Sequence, residues 1–264
     1  MSNTKKTKTE TNVIEKEATL NIHEKKVPFA VAEAYKNIRA NIMFLFASSE
    51  TKVLTITSPV ASEGKSTTAI NSAVAFSQLG EKTLILDADM RKPTVHRKLG
   101  IKNEVGLSNI LAGFVEVKDS INHVYENLDV ITAGRTPPNP AELLGSDRFK
   151  ELLDELSKEY KYILIDTPPV NIVLDALVVS KNTSGIVLVV RDKFTQNEAI
   201  RYALSTIEFA GANVLGAIMN GANPESKTKY NRRYGYGRYS RYSYRYSRYG
   251  YGFIGSNGNK DTKQ

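Results

Sequence analysis

An α/β domain with a mostly parallel sheet and helices on both faces is what this 264-residue sequence predicts. Short apolar runs of β type alternate with helical patterns along most of the chain, as strands and crossovers do in parallel sheets. Two of those runs end directly in aspartate, at Asp87 and Asp166. A third, KVLTIT at 52–57, feeds a tight loop, SPVASEGKSTT, that opens a helix.

Composition narrows the classes. Apolar content, at 41%, is ordinary for a globular protein, and the length suffices for one large domain plus tails. Cysteine is absent, which excludes disulfides, thiol nucleophiles and cysteine-ligated metals. No apolar run approaches the ~18–20 residues that span a bilayer, and the lysine-rich N-terminus lacks a signal-peptide core. A cytoplasmic protein, held at the inner face of the membrane only through a partner, is expected. The net charge of +8 is unevenly placed. Residues 226–264 hold ten Lys and Arg against Asp261, a balance of +9, and the remainder holds 26 basic and 27 acidic residues, a balance of −1.

In chain order, residues 1–28 are polar and aperiodic and are expected to be a flexible segment. A helix over Phe29–Phe46 places Tyr35, Ile38, Ile42 and Leu45 on one face and Glu33, Lys36 and Arg39 along another ridge. After the strand at 52–57, Gly64-Lys65-Ser66-Thr67 opens a helix patterned at Ile70, Ala73 and Val74. That is the layout of a P-loop. Backbone N–H groups over Ser62, Glu63, Gly64, Lys65, Ser66 and Thr67 would wrap nucleotide phosphates; Lys65 would reach the β/γ-phosphates and Ser66 would ligate Mg²⁺. Pro59 stands where the full pattern has its first glycine.

The strand at 82–86 runs into Asp87-Ala88-Asp89-Met90-Arg91-Lys92-Pro93. Carboxylates at the C-terminal end of a parallel strand lie where such sheets bind ligands. A short helical turn at 107–111, a strand at 128–132 and a proline-rich loop at 136–140 precede an amphipathic helix over 146–159. The strand Tyr162–Asp166 has the form of a Walker B strand, whose aspartate holds Mg²⁺ beside the P-loop. Strands at 186–190 and 214–219 flank a helix over 196–210, and Asn220, at the end of the last strand, is a candidate adenine contact. Arg91 and Lys92 are candidates for positioning phosphate or acceptor. His23, His96 and His123 lack metal-ligand spacing and are expected at the surface. Nine of the fourteen tyrosines, Tyr230, Tyr234, Tyr236, Tyr239, Tyr242, Tyr244, Tyr246, Tyr249 and Tyr251, fall in a Gly/Ser/Arg-rich tail expected to be disordered over 223–264.

Lys65, Ser66, Asp87, Asp89 and Asp166 thus form a candidate Mg²⁺–ATP site with one carboxylate more than water activation needs. Of Asp87 and Asp89, one can serve the metal and the other can receive a proton from an incoming hydroxyl. Tyrosine, with a pKa of about 10, is an accessible acceptor. SPVASEGKSTT, LILDADMRKP, YILIDTPP, GLSNILAG, TAGRTPPNPAELL and the tyrosine tail together resemble the bacterial tyrosine kinases (BY-kinases) of capsular and exopolysaccharide systems, in their free-standing Gram-positive form.

The resemblance covers about residues 30–222 plus the tail, and implies a P-loop kinase domain at 29–222. It implies that Asp89 and Asp166 hold Mg²⁺, that Asp87 is the base, and that the tail tyrosines are phosphorylated. It also implies a homo-oligomeric ring contacted through Glu33-x-x-Lys36-x-x-Arg39, where this chain has lysine for one of the family's arginines. The implied partners are a membrane adaptor of the polysaccharide co-polymerase type and a cognate tyrosine phosphatase. Nucleic acid is not an expected primary partner. Two other readings differ in their residues. A partition- or Min-type ATPase switch would carry a lysine where Val60 stands, and a nucleic-acid or anionic-surface binder acting through its Arg/Tyr tail would leave Asp87 and Asp89 without a role.

Overall fold

Parallel strands buried on both faces must be apolar along their whole length, and the central strands of this sheet are. The computed structural model describes residues 27–45 and 52–222. Within them, α1 (Phe29–Leu45) leads to β1 (Lys52–Thr57), α2 (Lys65–Ser77), β2 (Thr83–Asp87), α3 (Val95–Leu99) and α4 (Leu107–Leu111). A 3₁₀ turn at Val117–Ser120 precedes β3 (Ile121–Tyr125), β4 (Leu128–Ile131), α5 (Pro140–Leu144), α6 (Asp147–Leu156) and β5 (Tyr162–Asp166). The order closes with α7 (Asp175–Ser180), β6 (Gly185–Arg191), α8 (Asn197–Phe209) and β7 (Val214–Asn220). The tyrosine cluster, the N-terminal segment through residue 26 and His23 lie outside the described residues.

The sheet runs β3-β4-β2-β5-β1-β6-β7, and only the β3–β4 pair is antiparallel. Side chains alternate between two cores, as the two-residue strand period requires. Leu84, Leu86, Ile163 and Ile165 face a core filled by Leu107 and Ile110 of α4 and by Phe149, Leu152 and Leu156 of α6. Ile85 and Leu164, with Leu54 and Ile56, face the opposite core, where α2 contributes Ile70, Ala73, Val74 and Phe76 and α1 contributes Ile42. Ile186, Leu188 and Val190 of β6 pack on Ala203 and Ile207 of α8 in a third cluster.

The expected α/β architecture is present, with four additions. Pro140, expected in a loop, starts α5 at the helix position where its missing N–H costs nothing. The five-residue helix α3 and the six-residue helix α7 carry too few turns to show a period. The edge strand β3 reads INHVY and is half-buried, so it lacks the apolar signature of its parallel neighbours. At the other edge, β7 is apolar in sequence yet largely exposed. His96, expected at the surface, is half-buried, with its Nδ1 out of solvent and without a hydrogen-bond partner. Among the described residues no helix is long and apolar enough to cross a membrane.

Local chemistry sets the helix starts. Ser146 accepts the N–H of Phe149 and caps α6, whose apolar side then faces the core. Phe149 is fully buried there. Phe149→Ala is expected to lower the free energy of unfolding by about 3–5 kcal/mol, read as a shift in the urea midpoint; a loss below about 1 kcal/mol would show that α6 is not part of the core.

Candidate active site

Register brings the site together before any side chain is considered. Strand β5 lies between β2 and β1, with Asp87 opposite Asp166 and Ile56 opposite the same residue. The chain then crosses over at this edge: Thr167 N–H donates to Ile56 O at 3.0 Å, Ala88 N–H to Asp166 O at 2.8 Å, and Val170 N–H to Ser58 O at 2.9 Å. The loop after β1, the acidic segment after β2 and the turn after β5 are therefore tied to one another through backbone.

The loop from Ser58 to Lys65 takes its shape from two left-handed residues, Ser62 at φ +66° and Gly64 at φ +89°. A side chain at Gly64 would be strained, and its Cβ would fall 2.1 Å from Nδ2 of Asn220. Gly64 is also the N-cap of α2, so the first free N–H groups of this 13-residue helix open onto the loop.

Lys65 reaches into the carboxylates. Its Nζ lies 2.8 Å from Asp89 Oδ2, 3.4 Å from Asp166 Oδ1 and 3.3 Å from Ser66 Oγ. Burial draws the lysine pKa down, but the charges of Asp166 and Asp89 outweigh it and the net shift is upward. Asp166 is fully buried, and burial pushes its carboxyl up against the opposing pull of Lys65 and the Ser66 hydroxyl. Asp87 is also sealed from solvent; burial and the neighbouring Asp166 charge raise it well above the usual carboxylate range, with Lys65 opposing. Its oxygens accept the N–H groups of Asp89 at 3.1 Å and Val95 at 3.3 Å.

The oxygens present suit magnesium. Asp166 Oδ2 is buried with no hydrogen-bond partner, and Asp89 and the Ser66 hydroxyl complete a hard-oxygen set beside it. Among the described residues no three acidic or imidazole side chains converge as a metal cage. Magnesium is commonly held by one or two carboxylates together with substrate phosphates, so this set fits an ion that arrives with nucleotide.

The comparisons with known proteins agree with this geometry. A protein family described as an AAA domain matches residues 51–214. The tyrosine-protein kinase YwqD of Bacillus subtilis is 41% identical over 200 residues, covering 75% of this chain and 84% of YwqD. The chain belongs to the bacterial tyrosine kinases of the capsular and exopolysaccharide type. It is a protein-tyrosine kinase. Among solved structures, the chimerical protein CapA2B2 superposes with a TM-score of 0.71 at 42% identity, covering 76% of this chain and 88% of that one. The kinase domain of the Escherichia coli tyrosine kinase ETK gives 0.70 at 34% identity, covering 75% and 82%.

The structure of this kinase brings Lys65, Ser66, Asp87, Asp89 and Asp166 to one point and refines other expectations. The Glu63 side chain is turned away from the phosphate side: its buried carboxylate accepts Val60 N–H at 3.0 Å and the Thr195 hydroxyl. Asn220 does reach the loop, but its amide donates to Glu63 O at 2.9 Å. The Arg91 guanidinium is engaged by both oxygens of buried Asp175, at 2.8 and 3.1 Å, and so pins the acidic loop to α7 instead of reaching for phosphate. Lys36 pairs with Glu33 at 2.7 Å on the exposed side of α1, while Arg39 Nη1 donates to Ala75 O of α2 at 2.6 Å. Asp175, Arg191 and Thr195 were not singled out from sequence. Of these only Asp175 carried a local signal, an acid in the first turn of a helix following the Walker B segment.

A raised carboxyl pKa in the folded state means that the fold holds its proton more tightly than the unfolded chain does. Stability is then fully present at low pH and is lost as pH rises through the raised value. Asp166→Asn removes that loss. In EDTA, the variant is expected to melt a few degrees above the wild type at pH 8, while its kinase activity, assayed with Mg²⁺-ATP, falls more than about 100-fold. Equal melting temperatures at pH 8 would show that burial of the Asp166 charge carries no cost.

Proposed function

We propose that this kinase transfers the γ-phosphoryl group of ATP to the tyrosines of its own C-terminal cluster, from Tyr230 to Tyr251, in trans within an oligomer. The observation that supports this reading best is the convergence of Lys65 with three buried aspartates at the ends of adjacent strands. A hydrolase has only water to orient, whereas a tyrosine kinase also needs a carboxylate for the phenolic proton.

In the proposed step the loop N–H groups over Ser62–Thr67 and the α2 N-terminus bind the β- and γ-phosphates, and Lys65 turns its charge onto them. Asp89, Asp166 and Ser66 would hold Mg²⁺, which when bound supplies charge neutralisation at the phosphates. The tyrosine Oη forms a bond to the γ-phosphorus as the bond to the β,γ-bridging oxygen breaks. ADP leaves with that electron pair, and the phenolic proton passes to Asp87. Its raised pKa suits a base working nearer neutrality. Because Asp87 is sealed by the N–H groups of Asp89 and Val95, its action as a base requires the 88–95 segment to shift.

The tail carries +9, and each phosphotyrosine adds about −1.5 to −2, so nine of them add about −14 to −18 and reverse its sign. Modified tails on neighbouring subunits would then repel, loosening a ring held through Glu33, Lys36 and Arg39. A membrane adaptor that docks the kinase at the inner face of the membrane, and a phosphatase that restores the tail, complete a cycle that regulates synthesis and export of surface polysaccharide.

Mass-spectrometric mapping after incubation with Mg²⁺-ATP tests the central step. Phosphate is expected on Tyr230–Tyr251 in the wild type and on none of them in Lys65→Met. ATP hydrolysis with unmodified tyrosines, even with an adaptor's cytoplasmic segment present, would replace the kinase reading of this site by a switch ATPase. Native mass spectrometry tests the oligomer: fully phosphorylated chains are expected at lower stoichiometry than unphosphorylated ones, and an unchanged stoichiometry would refute electrostatic loosening.

A further inference from the structure

The nucleotide loop is bracketed from the side of the sheet opposite the catalytic aspartates. Strand β6 ends at Arg191, and the chain turns back on itself through Lys193, a left-handed residue at φ +58°, so that Thr195 N–H donates to Arg191 O at 3.0 Å. The turn holds the Thr195 hydroxyl in place: it accepts Arg191 N–H at 2.8 Å and donates to Glu63 Oε1. Glu63 is fully buried, and its other carboxylate oxygen accepts Val60 N–H. Two more donors grip the same loop, Arg191 Nη1 on Ser62 O at 3.2 Å and Asn220 Nδ2 on Glu63 O at 2.9 Å.

These contacts have a directional consequence. In a trans peptide the C=O and the following N–H point to opposite sides, and no cis peptide occurs among the described residues. Carbonyls of Ser62 and Glu63 drawn outward by Arg191 and Asn220 therefore turn the N–H groups of Glu63 and Gly64 inward, to the concave side where an anion is received.

We propose that Thr195 is a positioning residue for nucleotide binding: by fixing the buried Glu63 carboxylate, its hydroxyl holds the loop in the shape that presents those N–H groups. The proposal rests on the loop being the ATP site. Thr195 contacts no reacting atom, so its loss acts on affinity and leaves the chemical step intact. Thr195→Ser keeps the hydroxyl and so conserves the bracket.

Full-length wild type, Thr195→Ser, Thr195→Val, Glu63→Ala and the Glu63→Ala/Thr195→Val pair would be titrated with Mg²⁺-ADP by calorimetry and assayed for autophosphorylation across ATP concentrations. Thr195→Val is expected to raise the ADP Kd and the ATP KM about tenfold with kcat within about twofold, one hydrogen bond to a charged group being lost. Thr195→Ser should stay near wild type, and the double variant should bind no more weakly than Glu63→Ala alone. Wild-type affinity in Thr195→Val, failure of serine to restore binding, or additive losses in the double variant would each overturn the proposal. Absence of ADP binding by the wild type would instead overturn the nucleotide-site reading, and the proposal with it.

Discussion

The arrangement on which the rest of this structure depends is one lysine facing three carboxylates at a dry sheet edge. Asp87 and Asp166 are inaccessible to solvent, and Asp89 nearly so. Lys65 pairs directly with only Asp89 and Asp166. Buried charges are costly unless matched, and here one cation serves three acids. The strain shows in the direction of the titrations: Asp87 and Asp166 are both pushed up, by burial before any other cause. A site of this kind persists only inside a frame that does not relax around it. Strands β2 and β5 are buried along their whole length, and α2 is buried at nearly every position. The frame is overbuilt because the site is underpaired.

How legible this was in the sequence depended on distance along the chain. Buried parallel strands are continuous apolar runs, so TLILD and YILID showed both their place in the sheet and the acids at their ends. Lys65 and Ser66 could be read because the loop, its glycine and its helix are contiguous. Strand β3 was lost because a half-buried antiparallel edge tolerates Asn122 and His123 and has no such run. The part played by the Glu63 side chain went unread for another reason. Its carboxylate looks available in the sequence, and only the return of Thr195, 132 positions later, shows that it is spent inside the protein. Arg91 likewise looked like a free cation until Asp175, 84 positions on, took both of its hydrogen bonds. Local chemistry could be inferred; commitments made by the fold could not.

Helix α2 links the proposed subunit contact to the phosphate site. Its last carbonyls have no helical partner. Leu79 N–H, the expected partner of Ala75 O, bonds Phe76 O instead, and Arg39 fills the place on Ala75 at 2.6 Å. A guanidinium there also complements the negative end of the helix dipole. The ridge that carries Glu33 and Lys36 outward thus places its third member on the helix whose opposite end opens at Lys65. A rigid helix of 13 residues, about 20 Å long, separates the two. A shift of α1 that pulled Arg39 away would expose an unsatisfied carbonyl on that helix, so the ridge and the phosphate site share a single structural member.

Strand β1 divides the work. On its β5 and β2 side lie the acids, where charge is concentrated and chemistry is proposed. On its β6 and β7 side lie Arg191, Thr195 and Asn220, whose hydrogen bonds shape the loop. The division has a physical reason. Donors that hold loop carbonyls must not compete with Lys65 for phosphate or with a metal for Asp166, and the width of β1 keeps them apart. Asn220 is the last residue of β7, and the tyrosine-rich segment follows it in the chain. The residue that bonds Glu63 O and crowds Gly64 is therefore also the last sheet residue before the sequence that carries the proposed acceptors.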